Sequence, residues 1–237
     1  MTQGAMTNWL TPDEWQAVAL SLRVSVWATA LSLPFGILVA YALARWQFWG
    51  RQVLNGLVHL PLILPPVVTG YLLLLTFGRR GPVGHLLQEW FGIVLAFRWT
   101  GAALAAAVMA FPLMVGAIRL SVEAVDPRLE AAARTLGASP PWVFVTVTLP
   151  LILPGVVAGA ILGFARAIGE FGATITFVSS IPGQTQTLPS AIHAFLQVPG
   201  GDAAAFRLVL VALAMAIAAL VVSDWLGRRI ARIVGGA

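Results

Sequence analysis

Five long stretches without Asp, Glu, Lys or Arg run through this 237-residue chain. A helix that crosses the hydrocarbon core of a membrane needs about 20 mostly apolar residues, and each stretch reaches or approaches that length. A soluble fold of this size could not hide so much apolar surface. The stretches are residues 24–44, 53–78, 99–118, 140–165 and 208–223. They predict an all-α polytopic membrane protein.

The composition narrows the class of protein further. Apolar residues make up 59% of the chain and charged residues only 10%, whereas soluble domains are about a quarter charged. Cysteine is absent, which excludes disulfide scaffolds, thiolate metal sites and cysteine nucleophiles. All 14 basic residues are Arg, and they stand singly or in pairs between the apolar stretches. This arrangement is typical of membrane topology signals and argues against nucleic-acid binding.

The apolar stretches and their extensions predict a single transmembrane domain over residues 1–237. Residues 188–198 are too few to cross and are interpreted as a re-entrant segment, with a sixth span as the alternative. Arg45 and Arg51 favour a cytoplasmic first loop and an outside N-terminus. Asp13 and Glu14 stand where a signal peptide has basic residues, so none is expected. The spans are expected at about 17–44, 53–78, 99–118, 141–168 and 205–227, with a cytoplasmic loop at about 119–140.

Proline and glycine mark two of the spans. Pro65 and Pro66 are adjacent within the second span and predict a helix broken in mid-membrane, a feature that recurs at transport pathways. Gly155, Gly159 and Gly163 lie four residues apart, so they share one face of the fourth span. We interpret that face as one that packs within the chain; a pore-lining or dimer-facing helix is the alternative.

Two charged residues follow on the same helical pattern. Arg166 and Glu170 are four residues apart and can pair on one helix face. Counted from Pro150, Arg166 lies roughly 24 Å along the helix, where a charge is costly and faces a cavity or the bundle interior. Either the pair is structural and fixes the helix, or Arg166 meets an anion that passes through.

Residues 126–137 predict a short capped helix in the cytoplasmic loop. Asp126 suits the N-cap, Pro127 the first helical position and Gly137 the C′ position that ends the helix. The small, alanine-rich surface can enter a groove of another protein, and a short helix of this kind gains little stability alone. A docking helix is therefore favoured over an ordinary solvated loop helix.

This loop resembles the EAA loop of ABC-importer permeases, in which E-A-A is followed by three residues, a glycine, nine residues and I-x-L-P. Ala132, Ala133 and Gly137 fit the pattern, and VTLP at 147–150 follows at the same spacing. Glu130 stands one place earlier than the glutamate of the pattern. Further stretches resemble molybdate permeases of the ModB type: HLPLILPPVVTG (59–70), FGRRGPVG (77–84), ARAIGEFGAT (165–174), IPGQTQTLP (181–189) and FLQVPG (195–200).

The resemblance covers most of residues 15–230 and implies a type I ABC-importer permease fold with about five to six transmembrane helices. It implies a homodimer of permease chains, a cytoplasmic ABC ATPase dimer and an extracytoplasmic oxyanion-binding protein in the bacterial inner membrane. The chain itself has no lysine and so no phosphate-binding loop. ATP and Mg²⁺ are therefore expected on the ATPase, with no cofactor or metal here. The residues implied in coupling to the ATPase are Glu130, Ala132, Ala133, Leu136, Gly137, Leu149 and Pro150.

The implied cargo is molybdate, with tungstate or sulfate as alternatives. A dianion cannot cross bare hydrocarbon, so a wetted pathway is required, and it must attract the anion only weakly to allow release. Hydroxyls and backbone N–H groups suit that need better than a ring of Arg. The residues predicted to line the pathway are Thr69, Gly70, Arg166, Glu170, Thr174 and Thr176.

Three other functions are open to a chain of this composition. A secondary transporter could use Glu170 and Arg166 for proton coupling, but the predicted docking loop disfavours this function. An intramembrane enzyme is disfavoured because His59, His85 and His193 are scattered and no catalytic motif is present. A purely structural anchor for an ATPase is disfavoured by the broken helix. We therefore expect no catalytic residues in the chain.

Overall fold

The computed structural model describes residues 9–234, which are helical between short turns. No strand occurs within that range, so the predicted all-α class is confirmed. The helices are α1 (Pro12–Arg45), α2 (Arg51–Ile63), α3 (Pro66–Phe77), α4 (Pro82–Phe91), α5 (Trp99–Ala124), α6 (Pro127–Thr135), α7 (Pro140–Val143), a π-helix (Phe144–Thr148), α8 (Leu149–Ile168), α9 (Gly172–Val178), α10 (Leu188–Leu196) and α11 (Asp202–Val234).

Several of these helices have the length and apolarity of membrane spans. Among the described residues four qualify, or five if α2 and α3 count as one broken span. Only 11% of the apolar window of α11 is buried, so most of its surface needs lipid or another chain against it. The α10 helix has nine residues and is not a candidate span. The prediction of a single domain with spans at the stated positions stays a prediction.

The helix predicted to break at the paired prolines does so. The α2 helix ends at Ile63, and Leu64 is extended, with φ −72° and ψ 142°. Pro65 is also outside the helical region, and α3 begins at Pro66. A proline disfavours the helical conformation of the residue before it and donates no backbone hydrogen bond. Both effects act at Leu64 and Pro65.

The described residues group into two compact units. The first unit consists of 9–26, Pro65–Ala106 and Ile168–Ala216, and the second of Trp27–Leu64, Ala107–Ala167 and 217–234. Each unit has its own buried apolar cluster. The cluster of the first unit contains Ala17, Val18, Leu188, Ala191 and Leu208. That of the second unit contains Ala40, Leu43, Val58, Met114, Val115, Ile118, Val122, Val125, Ile152 and Val156.

A capping box and an ion pair fix the start of α1 in the first unit. The Thr11 N–H donates to Glu14 Oε2 at 2.7 Å, and the Glu14 N–H donates to Thr11 Oγ1 at 3.4 Å. The Glu14 side chain is fully buried, and Arg207 Nη2 lies 2.6 Å from its Oε1. Nearby, the Leu188 N–H donates to Ser21 Oγ at 2.6 Å. These contacts tie α1, α10 and α11 together.

The glycine face of α8 packs against α5 in the second unit. A Cβ on Gly155 would overlap Ser121 Cβ, and one on Gly159 would lie 2.9 Å from the Met114 carbonyl oxygen. One on Gly163 would lie 2.7 Å from Met114 Cε. No side chain larger than hydrogen fits at these positions without movement. The interpretation of this face as internal packing is confirmed.

The π-helix directly precedes Pro150. The Leu149 N–H donates to the Phe144 carbonyl, five residues back. Pro150 has no N–H and its ring would collide with the carbonyl four residues earlier, in an ordinary α-helix that of Thr146. A local turn with one extra residue avoids this collision and lets the chain continue into α8.

We expect Gly155→Ala to lower the melting temperature of the detergent-purified chain, because the new methyl overlaps Ser121 and overpacking costs about 1–3 kcal/mol. Gly116→Ala is the matched control: it also lies in a helix of the second unit, and nothing lies within 4 Å of its position for a Cβ. Equal melting temperatures for the two variants would contradict the packing described here.

Candidate functional site

The predicted docking helix is α6, and its two ends are capped as expected. Asp126 Oδ1 accepts from the Arg128 N–H at 2.9 Å, and Pro127 occupies the first turn. At the other end, Gly137 has φ +85°, a left-handed conformation that favours glycine. The Gly137 N–H donates to the Arg134 carbonyl and the Ala138 N–H to the Ala133 carbonyl, which together form a Schellman motif.

Glu130 anchors α6 to two other parts of the second unit. Its side chain is buried, and its Oε1 accepts from Thr148 Oγ1 at 2.9 Å, in the π-helix. The same oxygen lies 3.5 Å from Arg45 Nε, on the last residue of α1. Arg45 Nη2 also donates to the Val125 carbonyl at 2.7 Å, just before α6 begins. One buried carboxylate thus joins α1, α6 and the π-helix.

Sequence reasoning missed two of these partners. From the sequence alone, Arg45 is only a topology signal, and Thr148 is only the variable position of the VTLP motif. The displaced position of Glu130 was a usable signal, since one residue rotates a side chain by about 100° around a helix. The structure places Glu130 on the inner side of α6.

The opposite side of this segment is apolar and uncovered. Leu136 is 89% exposed, and Leu129, Trp142 and Val145 are also exposed. Ala132 is exposed and Ala133 is half-buried, so small residues lie between larger ones. Leu149 is half-buried and Pro150 is exposed at the start of α8. We call Leu129, Ala132, Leu136, Trp142 and Val145 the loop surface.

The predicted pathway residues Thr69 and Gly70 lie on α3 where it meets α9 in the first unit. A Cβ on Gly70 would lie 2.5 Å from the Ala173 carbonyl oxygen and 2.9 Å from Thr176 Cβ, so the two backbones are in close contact. A Cβ on Gly172 would lie 2.7 Å from Pro66 Cβ. Thr69 is buried, and its hydroxyl has no hydrogen-bond partner within residues 9–234.

The other predicted pathway residues of the first unit form hydrogen bonds with backbone groups at the start of α9. Glu170 is buried, and its Oε1 accepts from the Ala173 N–H at 2.8 Å, which caps the helix. Thr174 Oγ1 donates to the carbonyls of Glu170 and Phe171. Thr176 Oγ1 donates to the Gly172 carbonyl at 2.9 Å. Both hydroxyl protons are used locally, which leaves their oxygens as acceptors.

Arg166 belongs to the other unit. It lies in the last turn of α8 and is half-buried. The structure therefore brings Thr69, Gly70, Glu170, Thr174 and Thr176 into the first unit, and all seven predicted coupling residues into the second.

Comparison with known proteins gives a consistent result. Residues 32–232 match the family described as binding-protein-dependent transport system inner membrane component. The chain is 59% identical to the molybdenum transport system permease protein ModB of Escherichia coli K12, over 92% of this chain and 96% of the relative. It is 54% identical to ModB of Haemophilus influenzae, over 94% and 97%. Identity to a sulfate permease protein, CysW of Synechococcus elongatus, is 39% over 73% and 60%.

Solved structures share the fold at low sequence identity. A bacterial ABC transporter involved in the import of alginate matches with a TM-score of 0.74 and 17% identity, over 95% of this chain and 82% of that one. The MetNI methionine ABC transporter matches with a TM-score of 0.68 and 16% identity, over 97% and 100%. The fold is that of type I ABC-importer permeases, as the resemblance to that family implied. The chain is a multi-pass membrane protein of the binding-protein-dependent transport system inner membrane component family, and within that family it groups with the ModB-type permeases.

Proposed function

We propose that this chain is the membrane-spanning permease subunit of an ATP-driven importer that carries molybdate into the cytoplasm. The observation that carries the proposal is the high identity to molybdenum permeases over nearly the full length of both chains. Sulfate permeases are more distant relatives. The chain is a transport subunit and not an enzyme, so ATP hydrolysis belongs to a separate ATPase that holds ATP and Mg²⁺.

The arrangement proposed is one transmembrane domain, present as a homodimer in the bacterial inner membrane. A cytoplasmic ATPase dimer binds on one side, and an extracytoplasmic oxyanion-binding protein delivers cargo on the other. The known structures of the fold include a transporter in complex with a periplasmic binding protein, which supports this arrangement.

The loop surface is the proposed contact with the ATPase. Exposure of its apolar side chains to water is unfavourable, and their burial in a hydrophobic cleft of the ATPase lowers the free energy. On the inner side, Glu130 links α6 to α1 and to the turn that precedes α8. A force on α6 is therefore passed to Arg45 and Thr148 through buried contacts. ATP can favour one state of the transporter only if the assembly binds it more tightly in that state.

The pathway proposed for the anion includes Thr69, Gly70, Arg166, Glu170, Thr174 and Thr176. Of the three threonine hydroxyls in this set, that of Thr69 has no hydrogen-bond partner within residues 9–234, whereas those of Thr174 and Thr176 donate to nearby carbonyls. A few weak donors suit passage better than a tight site would.

Uptake tests the function directly. In proteoliposomes that contain the chain, its ATPase and its binding protein, we expect radiolabelled molybdate to accumulate only with ATP. Tungstate should compete and excess sulfate should compete poorly. Uptake by the chain alone, driven by an ion gradient, would instead support a secondary transporter.

The loop surface can be tested with Leu136→Asp. A charge at the centre of an apolar contact should weaken ATPase binding by about tenfold or more, measured by co-purification and by ATPase affinity. Val198→Asp is the control, because it makes the same kind of change at an exposed apolar residue outside this segment. If Leu136→Asp binds the ATPase as well as Val198→Asp does, the proposed contact is wrong.

The contacts of Glu130 with Thr148 and Arg45, which we call the inner anchor, can be tested with Thr148→Val. This change leaves the Glu130 carboxylate with one buried hydrogen bond fewer, at a cost of about 1–3 kcal/mol. We expect fewer anions transported per ATP hydrolysed, with the complex still assembled. Thr146→Val is the matched control, since its hydroxyl is exposed and bonds only the Trp142 carbonyl in α7. Unchanged coupling in both Thr148→Val and Arg45→Gln would contradict the anchor.

A further inference from the structure

A cavity of about 720 Å³ opens beside the turn that joins α1 to α2. All the residues that line it belong to the second unit, and none of them was assigned to coupling or to the pathway. Two are Arg and three are Gln or Asn, whereas no acidic residue lines the cavity. The lining includes Gln47, Trp49, Gln52, Asn55, Arg51 and Arg119.

Both guanidinium groups are held in place by the protein. Arg51 Nε and Nη2 donate to the Leu43 carbonyl at 3.0 and 2.6 Å. Arg119 Nη1 donates to Asn55 Oδ1 at 2.9 Å, and its Nε donates to Glu123 Oε1 at 2.7 Å. Among residues 9–234, Arg51 Nη1 and Arg119 Nη2 donate to no protein acceptor. Each fixed guanidinium therefore keeps one terminal nitrogen for a ligand.

The groups around the cavity are those that recognise a phosphate. Guanidinium groups bind phosphate oxygens through charge-assisted hydrogen bonds, and the amides of Gln47 and Gln52 can donate further ones. The cavity also includes the first turn of α2, where Gly50 provides no side-chain cap for the backbone N–H groups. Glu123 offsets part of the Arg119 charge, but the cavity as a whole stays cationic.

Aromatic residues surround the same turn. Trp46 and Phe48 are exposed, and Trp49 is fully exposed. Tryptophan is enriched at membrane–water interfaces, and basic pockets at the cytoplasmic ends of membrane helices attract anionic headgroups. Exposed aromatic rings beside fixed guanidinium groups are a combination that suits an anionic lipid headgroup.

We propose that this cavity binds a phosphate group, either the headgroup phosphate of an anionic phospholipid or free phosphate. The site is separate from the loop surface and from the predicted pathway. Binding of phosphate at this site does not depend on which anion the permease carries. The test therefore measures binding and not transport.

The test uses the full-length chain in detergent micelles and counts retained lipid by native mass spectrometry. Phosphatidylglycerol is compared with phosphatidylcholine, and inorganic phosphate is titrated separately. The test variant is Gln47→Glu, which keeps both Arg residues and their bonds but adds a negative charge to the cavity. We expect it to weaken phosphatidylglycerol binding by about fivefold, the effect of about one surface charge. Gln88→Glu is the matched control, since Gln88 is exposed on α4 and outside the cavity.

The outcomes separate the two sources of phosphate. A preference for phosphatidylglycerol that Gln47→Glu removes and Gln88→Glu leaves intact supports a lipid headgroup. Binding of inorganic phosphate with the same sensitivity, but no lipid preference, supports free phosphate. If Gln47→Glu and Gln52→Glu change neither binding event while both variants melt like the parent chain, the proposal is overturned.

Discussion

The buried Glu130 carboxylate determines how the loop segment is arranged. A carboxylate removed from water must find a positive charge or hydrogen-bond donors, because the desolvation cost is otherwise too high. Arg45 and Thr148 meet this need from two different elements. Because both partners must be present at once, α6 cannot turn about its axis without exposing Glu130 or leaving it unpaired. This requirement leaves the apolar side of α6 facing outward.

Close contact between backbones organises the rest of the chain. Gly155, Gly159 and Gly163 bring α8 against α5 in the second unit, and Gly70 brings α3 against α9 in the first. Helices in lipid gain little from hydrophobic burial against one another, so dispersion contacts at short range have to supply much of the packing energy. In both units, glycine stands where a Cβ would overlap the facing helix.

The sequence predicted best what depends on neighbouring residues. The Asp126 cap, the Gly137 terminus, the break at Pro65 and the glycine face of α8 all follow from local rules for backbone geometry. The Thr11–Glu14 capping box is equally local, although it is not among the predicted features. Contacts between distant residues could not be predicted: Arg45 and Val125 are 80 positions apart, and nothing in either stretch specifies the other. The hydroxyl bonds of Thr174 and Thr176 are local, because each donates to a carbonyl three or four residues earlier, but they depend on where α9 begins.

The π-helix at Phe144–Thr148 has a consequence for how this chain can tolerate change in length. A π-turn covers in five residues nearly the angle that an α-turn covers in four, so it takes up one extra residue without rotating the helix that follows. Deleting one residue there would leave Gly155, Gly159 and Gly163 facing Met114 and Ile118. It would, however, restore an α-helical turn before Pro150, whose ring would then collide with the carbonyl four residues earlier. The shortened chain would kink or break where the loop segment enters α8, while the glycine face of α8 would keep its direction.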